Sequence, residues 1–268
     1  MHLPIDLHTH RLPTDSTAAI VHLSPWDDMP HPQGYYSLGI HPWSITPQGI
    51  VQAIPHPLAQ RPAIGTTALL QCDQDFAQAH ISMEREEMAS AASYNLDPDV
   101  LLALARQPQV VAIGEAGIDH LAPAPIARQT AILRLQAELA ETVHKPLLLH
   151  LVRSTQEILL LRRQIRPTVP WIIHGFRGNS ALAHQLLDHG FCLSFGARYQ
   201  PQALLSTPKS RLFIETDQAQ VPILALYAQA AQRLEMSTDD LLNTVKANIA
   251  RDFFPALHHP QRASQSIL

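Results

Sequence analysis

The sequence predicts an α/β fold, a closed (β/α)8 TIM barrel, from three observations. Short apolar runs recur along the 268 residues, the later runs alternate with helical patterns, and several runs end on a side chain able to do chemistry. Alternating strands and helices favour a parallel sheet covered by helices. Reactive residues at the C-terminal ends of many strands favour the closed barrel over an open sheet. The eight strand candidates are 3–7, 18–23, 35–40, 110–113, 147–149, 171–173, 191–195 and 212–214. They run into His8, Ser24, His41, Gly114-Glu115, His150, His174, Gly196 and Glu215-Thr216-Asp217 respectively.

Helices are legible between the later strands. Ile132, Leu135, Leu139 and Val143 recur at helical spacing with Arg134, Glu138 and Glu141 between them. Residues 154–165 repeat the pattern up to the limit set by Pro167. Asn179 is placed to cap a helix that reaches Asp188 and stops at Gly190. Ser237-Thr238-Asp239-Asp240 reads as the start of a last helix, which closes at Phe254. Only about ten residues separate the first two strands, too few for a crossover helix, so the first helix is expected to be missing. Residues 44–97 are too long for one helix and two loops. They are read as an insertion over the site mouth, with a polar helix at 76–95, in a single domain spanning 1–268.

Composition narrows the class. Hydrophobic residues make up 46% and charged residues 16%, which is ample for a core of this size. A net charge of −4 gives no global basic footprint, so a nucleic-acid substrate would need a local patch or bound metal. Cys72 and Cys192 form no disulfide framework. No signal-peptide pattern precedes His8, and no apolar run approaches the roughly 18 residues that span a bilayer. A cytoplasmic protein is expected, with no membrane contact and no obligate protein partner.

The first strand carries the densest chemistry. In Asp6-Leu7-His8-Thr9-His10, alternate side chains share a face, so His8 and His10 project together with Asp6 beneath them. Two neutral imidazoles side by side can hold a divalent cation. A barrel would bring Glu115, His150, His174 and Asp217 to the same end. Four imidazoles and two carboxylates suffice for two divalent ions a few Å apart, with one carboxylate bridging.

These residues carry a resemblance to the TatD family of metal-dependent deoxyribonucleases, in the amidohydrolase superfamily. It rests on Asp6-Leu7-His8-Thr9-His10, Gly39-Ile40-His41-Pro42-Trp43, Ala112-Ile113-Gly114-Glu115-Ala116-Gly117-Ile118-Asp119, Gln129 and Gln136. It continues through Lys145-Pro146-Leu147-Leu148-Leu149-His150, Ile173-His174-Gly175-Phe176, Ser194-Phe195-Gly196, Glu215-Thr216-Asp217 and Asn248. Roughly 11–34 and 44–97 lie outside it. The resemblance implies a hydrolase that cleaves DNA phosphodiester bonds with two divalent ions, Zn²⁺, Mg²⁺ or Mn²⁺. His8, His10 and Asp217 would hold the first ion, Glu115 would bridge, and His150 and His174 would hold the second. Asp217 would also take a proton, His41 would face the substrate phosphate, and Arg153 and Glu215 would contact or support.

Three departures bear on the substrate more than on the chemistry. Gln218-Ala219-Gln220 stands where the family has a small residue and proline, so the turn aiming Asp217 is expected to differ. His150-Leu151-Val152-Arg153 is one residue longer than the common His-x-Arg spacing, which would redirect Arg153. Asp119-His120 replaces Asp-Tyr. Two other readings fit the same ligands: a metal-dependent amidohydrolase or esterase on a small substrate, and a non-catalytic metal-binding protein.

Overall fold

The computed structural model describes residues 3–47, 49–50 and 97–255. Its eight main strands are β1 Asp6–Thr9, β2 Ala19–Leu23, β3 Tyr35–Leu38, β4 Val110–Asp119, β5 Leu147–Val152, β6 Trp171–Ile173, β7 Cys192–Phe195 and β8 Leu212–Ile214. Each pairs in parallel with the next in sequence order. The ring is closed by a parallel bridge between Thr9 and Asp217. There the Asp217 N–H donates to the His8 carbonyl at 2.9 Å, and the His10 N–H donates to the Asp217 carbonyl at 3.3 Å. The expected TIM barrel is therefore the observed one.

Two strands run further than their apolar runs suggested. β4 continues past Gly114 to Asp119 and β5 past His150 to Val152, so Glu115 and His150 lie within strands and not at their ends. Glycine reads as a strand breaker, but here it permits close approach. A Cβ at Gly114, whose φ is +129°, would sit 2.4 Å from the Leu148 carbonyl oxygen. One at Gly117 would sit 1.9 Å from that of His150. The β4–β5 register shifts between Ile113 and Ala116, which is where Glu115 turns inward.

The helices are α1 Pro98–Ala105, α2 Ile126–Val143, α3 Thr155–Ile165, α4 Ser180–Asp188, α5 Pro201–Ser206, α6 Ile223–Arg233 and α7 Thr238–Phe253. Asn179 and Ser237 cap α4 and α7 as expected, accepting from the Leu182 and Asp240 N–H groups at 2.9 and 3.0 Å. In α2 the buried face is rotated from the expected leucine stripe. It consists of Gln129, Ile132, Leu133, Gln136, Ala137 and Ala140, with Leu135, Leu139 and Val143 at its margin. Alanines let the helix lie close to the barrel, and the two glutamines satisfy backbone groups there.

No helix stands in 10–18, as the short spacing required, and none stands in 24–34 either. On that side Met29 and Phe254 pack against the core, with the Phe254 ring 5.0 Å from that of Tyr35. Of the anticipated insertion, a 3-10 turn at Pro42–Ser44 and a small hairpin of Ile45–Thr46 and Gly49–Ile50 are described. Ile45 is buried with Ile40, Ala124 and Ile132, so position 45, inside the expected insertion, belongs to the core. Residues 51–96, including the helix candidate at 76–95, lie outside the described residues. No helix among the described residues is long and apolar enough to cross a membrane.

Candidate metal centre

Glu115 stands at the middle of the cluster. Its Oε1 lies 2.7 Å from His174 Nε2 and 3.3 Å from His8 Nε2, and its Oε2 lies 3.1 Å from His10 Nε2. His10 Nε2 is in turn 3.6 Å from Asp217 Oδ1, and His150 Nδ1 is 3.2 Å from His174 Nε2. All six expected ligands therefore meet at the C-terminal end of the barrel. His8, Glu115, His174 and Asp217 present ligand atoms within 4.8 Å of one another, and so, as a second group, do His41, Glu115 and His150.

Burial makes this arrangement demanding. His8 is fully buried, and neither of its ring nitrogens has a hydrogen-bond partner among the described residues. Glu115 Oε2 is likewise buried without an aligned hydrogen bond. Buried polar atoms left unpaired are costly, and a divalent cation is the partner that neutral imidazole and carboxylate share. The donor set fits such an ion.

Outer contacts orient several of these side chains. Glu215 is fully buried, and its Oε1 accepts from the Gly175 N–H at 2.6 Å while lying 3.3 Å from His174 Nδ1. Asp119 does the same for His150: its Oδ2 lies 3.2 Å from His150 Nε2 and accepts from the Trp43 indole N–H at 2.7 Å. A carboxylate behind a ligating imidazole fixes its ring and tautomer. Gln129 clamps the Asp119 backbone at 2.8 and 3.0 Å, and Gln136 grips Ile40, just before His41, at 2.7 and 3.2 Å. Asp6 acts differently from its expected place beneath the histidine pair. It accepts from the Thr216 N–H at 2.9 Å and the Thr216 hydroxyl at 2.6 Å, tying β1 to the turn that carries Asp217. Despite Gln218-Ala219-Gln220, that turn still aims Asp217 at the cluster, with its φ at 52°.

Two further histidines line the cavity of about 500 Å³ above the cluster, His22 and His41. His41 Nδ1 accepts from the Trp43 backbone N–H at 3.1 Å. A neutral imidazole with an acceptor at Nδ1 carries its proton on Nε2, so His41 offers a donor and not a free lone pair. Proximity alone would count it among ligands; its tautomer favours a contact to a substrate oxygen. His22 Nδ1 lies 3.0 Å from the Glu115 N–H and 3.2 Å from the Gly114 carbonyl. The amide can only donate and is the shorter contact, so His22 also keeps its proton on Nε2. Burial pulls both rings down, His22 to about 3 and His41 to about 4, so both are neutral donors at physiological pH.

The charged groups behave in the opposite way. Burial alone would raise Glu115, but His174, His8 and His10 around it hold it well below the ordinary carboxylate range. Burial likewise opposes protonation of His174, yet Glu115 and Glu215 raise it well above an ordinary imidazole. A cation entering the site would therefore take the place of a proton. Arg153 is exposed, has a φ of 57°, and does not line the cavity, consistent with the lengthened His150-to-Arg153 spacing. Sequence reasoning assigned no role to Asp119, Trp43 or His22. Strand alternation through Glu115, Gly117 and Asp119 was a usable signal for Asp119, and a lone polar residue in an apolar run was one for His22.

A family model described as TatD related DNase matches residues 27–253. The chain belongs to the TatD family. Its curated relatives include an uncharacterized metal-dependent hydrolase, YabD, of Bacillus subtilis, 32% identical over 42% of this chain and 48% of that protein. An uncharacterized metal-dependent hydrolase, TatD, of Mycobacterium tuberculosis is 28% identical over 58% of this chain and 69% of that protein. The human 3'-5' RNA nuclease TATDN2 is 28% identical over 44% of this chain and 17% of that protein. The match thus spans about half of the first relative's length. Among solved structures, the TatD homologue YJJV of Escherichia coli superposes with a TM-score of 0.62 at 18% identity, covering 93% of this chain and 97% of that one. A TatD family hydrolase of Entamoeba histolytica gives 0.62 at 14% identity, covering 95% and 99%. Both describe the same fold.

Proposed function

We propose that this protein is a divalent-metal-dependent hydrolase that cleaves phosphodiester bonds in DNA. The observation that carries the reading is Glu115, one buried carboxylate shared by two groups of candidate ligands. His8, His10 and Asp217 would hold one ion, and His150 and His174, whose facing nitrogens lie 3.2 Å apart, would hold the other, with Glu115 shared between them. When bound, such ions supply Lewis acidity towards phosphate oxygens and lower the pKa of the attacking water. Asp217, about a quarter exposed at its side chain, borders both the cluster and the cavity and would receive the water's proton. His41 Nε2–H, and beside it His22, would donate to the non-bridging oxygens of the scissile phosphate. Trp43 is 54% exposed, with its indole N–H anchored on Asp119, and offers a flat face for a base.

The test is metal analysis of the purified protein, followed by nuclease assays with Zn²⁺, Mg²⁺ and Mn²⁺ on single- and double-stranded DNA and on RNA. Two bound ions per chain and cleavage of DNA are expected. Turnover of RNA alone would move the substrate to the class named for the human relative. Turnover of a small ester or amide, with no cleavage of nucleic acid, would replace the reading with the amidohydrolase alternative.

A further inference from the structure

We propose that a second cavity, between the segments that follow β6 and β7, binds a neighbouring phosphate of a polyanionic substrate through Arg177 and Arg198. It rests on the phosphodiesterase reading. The cavity measures about 270 Å³ and is lined by Gly175, Arg177, Gly196, Arg198, Asp217 and Gln218, among others. It meets the metal cavity along Asp217 and Gln218, which border both. A chain crossing the cluster would therefore enter it on leaving the reacting phosphate.

Charge and space select the ligand. Both arginines are exposed at the rim, and neither side chain is paired with a carboxylate among the described residues. Two carboxylates also line this cavity, but both are engaged elsewhere. Glu215 lies beneath its floor, bonded to Gly175 N–H and beside His174, and Asp217 faces His10. Gly175 and Gly196 add no side chain to the floor, though a Cβ at either would meet Glu215 only at ordinary contact, 3.6 and 3.7 Å. Guanidinium matches phosphate in planar, bidentate geometry. With a net charge of −4, the chain has no general attraction for nucleic acid, and this is a local patch of the kind such a substrate requires. A small neutral ester would gain nothing from it.

The experiment compares Arg177→Gln/Arg198→Gln with the parent, both metal-loaded, on short oligonucleotides. In one series a single phosphate next to the scissile bond is replaced by a neutral methylphosphonate, on either side in turn. Metal content and melting temperature serve as the folding controls. The parent is expected to lose about tenfold or more in kcat/KM when the neighbouring phosphate on one side is neutral. The double variant should lose a similar factor on the unmodified oligonucleotide and little more on the modified one. Its slope of log kcat/KM against log salt should flatten by about one per contact removed. A parent indifferent to both neutral neighbours, or a double variant as active and as salt-sensitive as the parent, overturns the subsite while leaving the phosphodiesterase reading intact. A metal-loaded parent that cleaves no oligonucleotide overturns both.

Discussion

The two ends of the barrel treat their titratable side chains in opposite ways. At the C-terminal end, imidazoles and carboxylates face one another around Glu115, and several of their atoms are left without hydrogen bonds. At the N-terminal end, cations are met largely by backbone. Lys145 Nζ donates to the Ala105 and Gln107 carbonyls at 2.5 and 3.2 Å. Arg162 donates to the His189 carbonyl at 2.7 Å and lies over the rings of Phe191 and Trp171, and Arg211 donates to the Leu187 carbonyl at 2.6 Å. These carbonyls belong to the ends of α1 and α4, where the last turn has no partners within the helix and the helix dipole favours a cation. The N-terminal end thus meets most of its cationic donors locally, with Arg162 Nη1 buried and unpartnered among the described residues, whereas the C-terminal end leaves imidazole and carboxylate atoms available to a cation.

The sharpest way to break this contrast is at its centre. Glu115→Gln is expected to reduce turnover by on the order of 10³ or more and to lower the metal bound per chain relative to the parent. The fold should survive, because the replaced carboxylate contacts the cluster and not the wall. Elemental analysis, melting temperature and the nuclease assay read these separately. Near-normal turnover would mean that the reaction does not depend on a shared carboxylate.

A smaller effect is expected one shell out. Asp119→Asn removes the charge behind His150 and leaves one oxygen for the two donors Asp119 accepts, the Trp43 indole and the Leu121 N–H, while Glu215→Gln removes the charge behind His174. Such changes typically weaken metal affinity or activity by about 10- to 100-fold. Metal titration is the discriminating readout, since a merely structural residue would lower stability without changing the affinity of the folded protein. If both variants bind metal as the parent does, the carboxylates only pack.

How much of this was legible in the sequence follows the same division. The eight strands, their order and the six converging residues could be read because parallel strands buried on both faces write themselves as apolar runs, and reactive residues follow them. The lengths of β4 and β5 could not, since Gly114 and Gly117 signal a break locally and their close contacts with Leu148 and His150 appear only across the sheet. The tautomers of His22 and His41 were equally hidden, because backbone N–H groups set them. At the other end, nothing in Lys145 or Arg162 distinguishes a helix-end partner from a solvated charge until the carbonyls are seen.

Variants at the N-terminal end should therefore lose stability and keep chemistry. Arg162→Met retains an apolar stem over Trp171 and Phe191 but leaves the His189 and Gly190 carbonyls short of a donor. A loss of about 1–3 kcal/mol, or roughly 3–10 °C in melting temperature, is expected. The kcat/KM of the folded, metal-loaded variant should stay within about twofold of the parent. A variant with unchanged stability but impaired turnover would erase the distinction between the two ends.

The smallest effect is in the pH dependence of stability, and Lys145 carries it. Burial lowers its ammonium from 10.5 to about 8. The neutral amine still has two N–H groups, enough for the Ala105 and Gln107 carbonyls, so losing the proton does not cost the contacts. Below about pH 8 the amine is charged in both folded and unfolded chains, and the penalty of the half-buried charge is fully present. Between about 8 and 10.5 the unfolded chain holds a proton that the folded chain has released, so this group makes folding more favourable as pH rises. Solvent at the partly exposed amine makes the slope shallow. Lys145→Met has no such group, and comparing the two cancels every other titration in the window. The melting temperature of the parent minus that of Lys145→Met should rise by about 1–3 °C from pH 8 to 10.5. A difference that stays flat or falls would mean that the amine keeps its charge, held by the carbonyls more strongly than burial disfavours it.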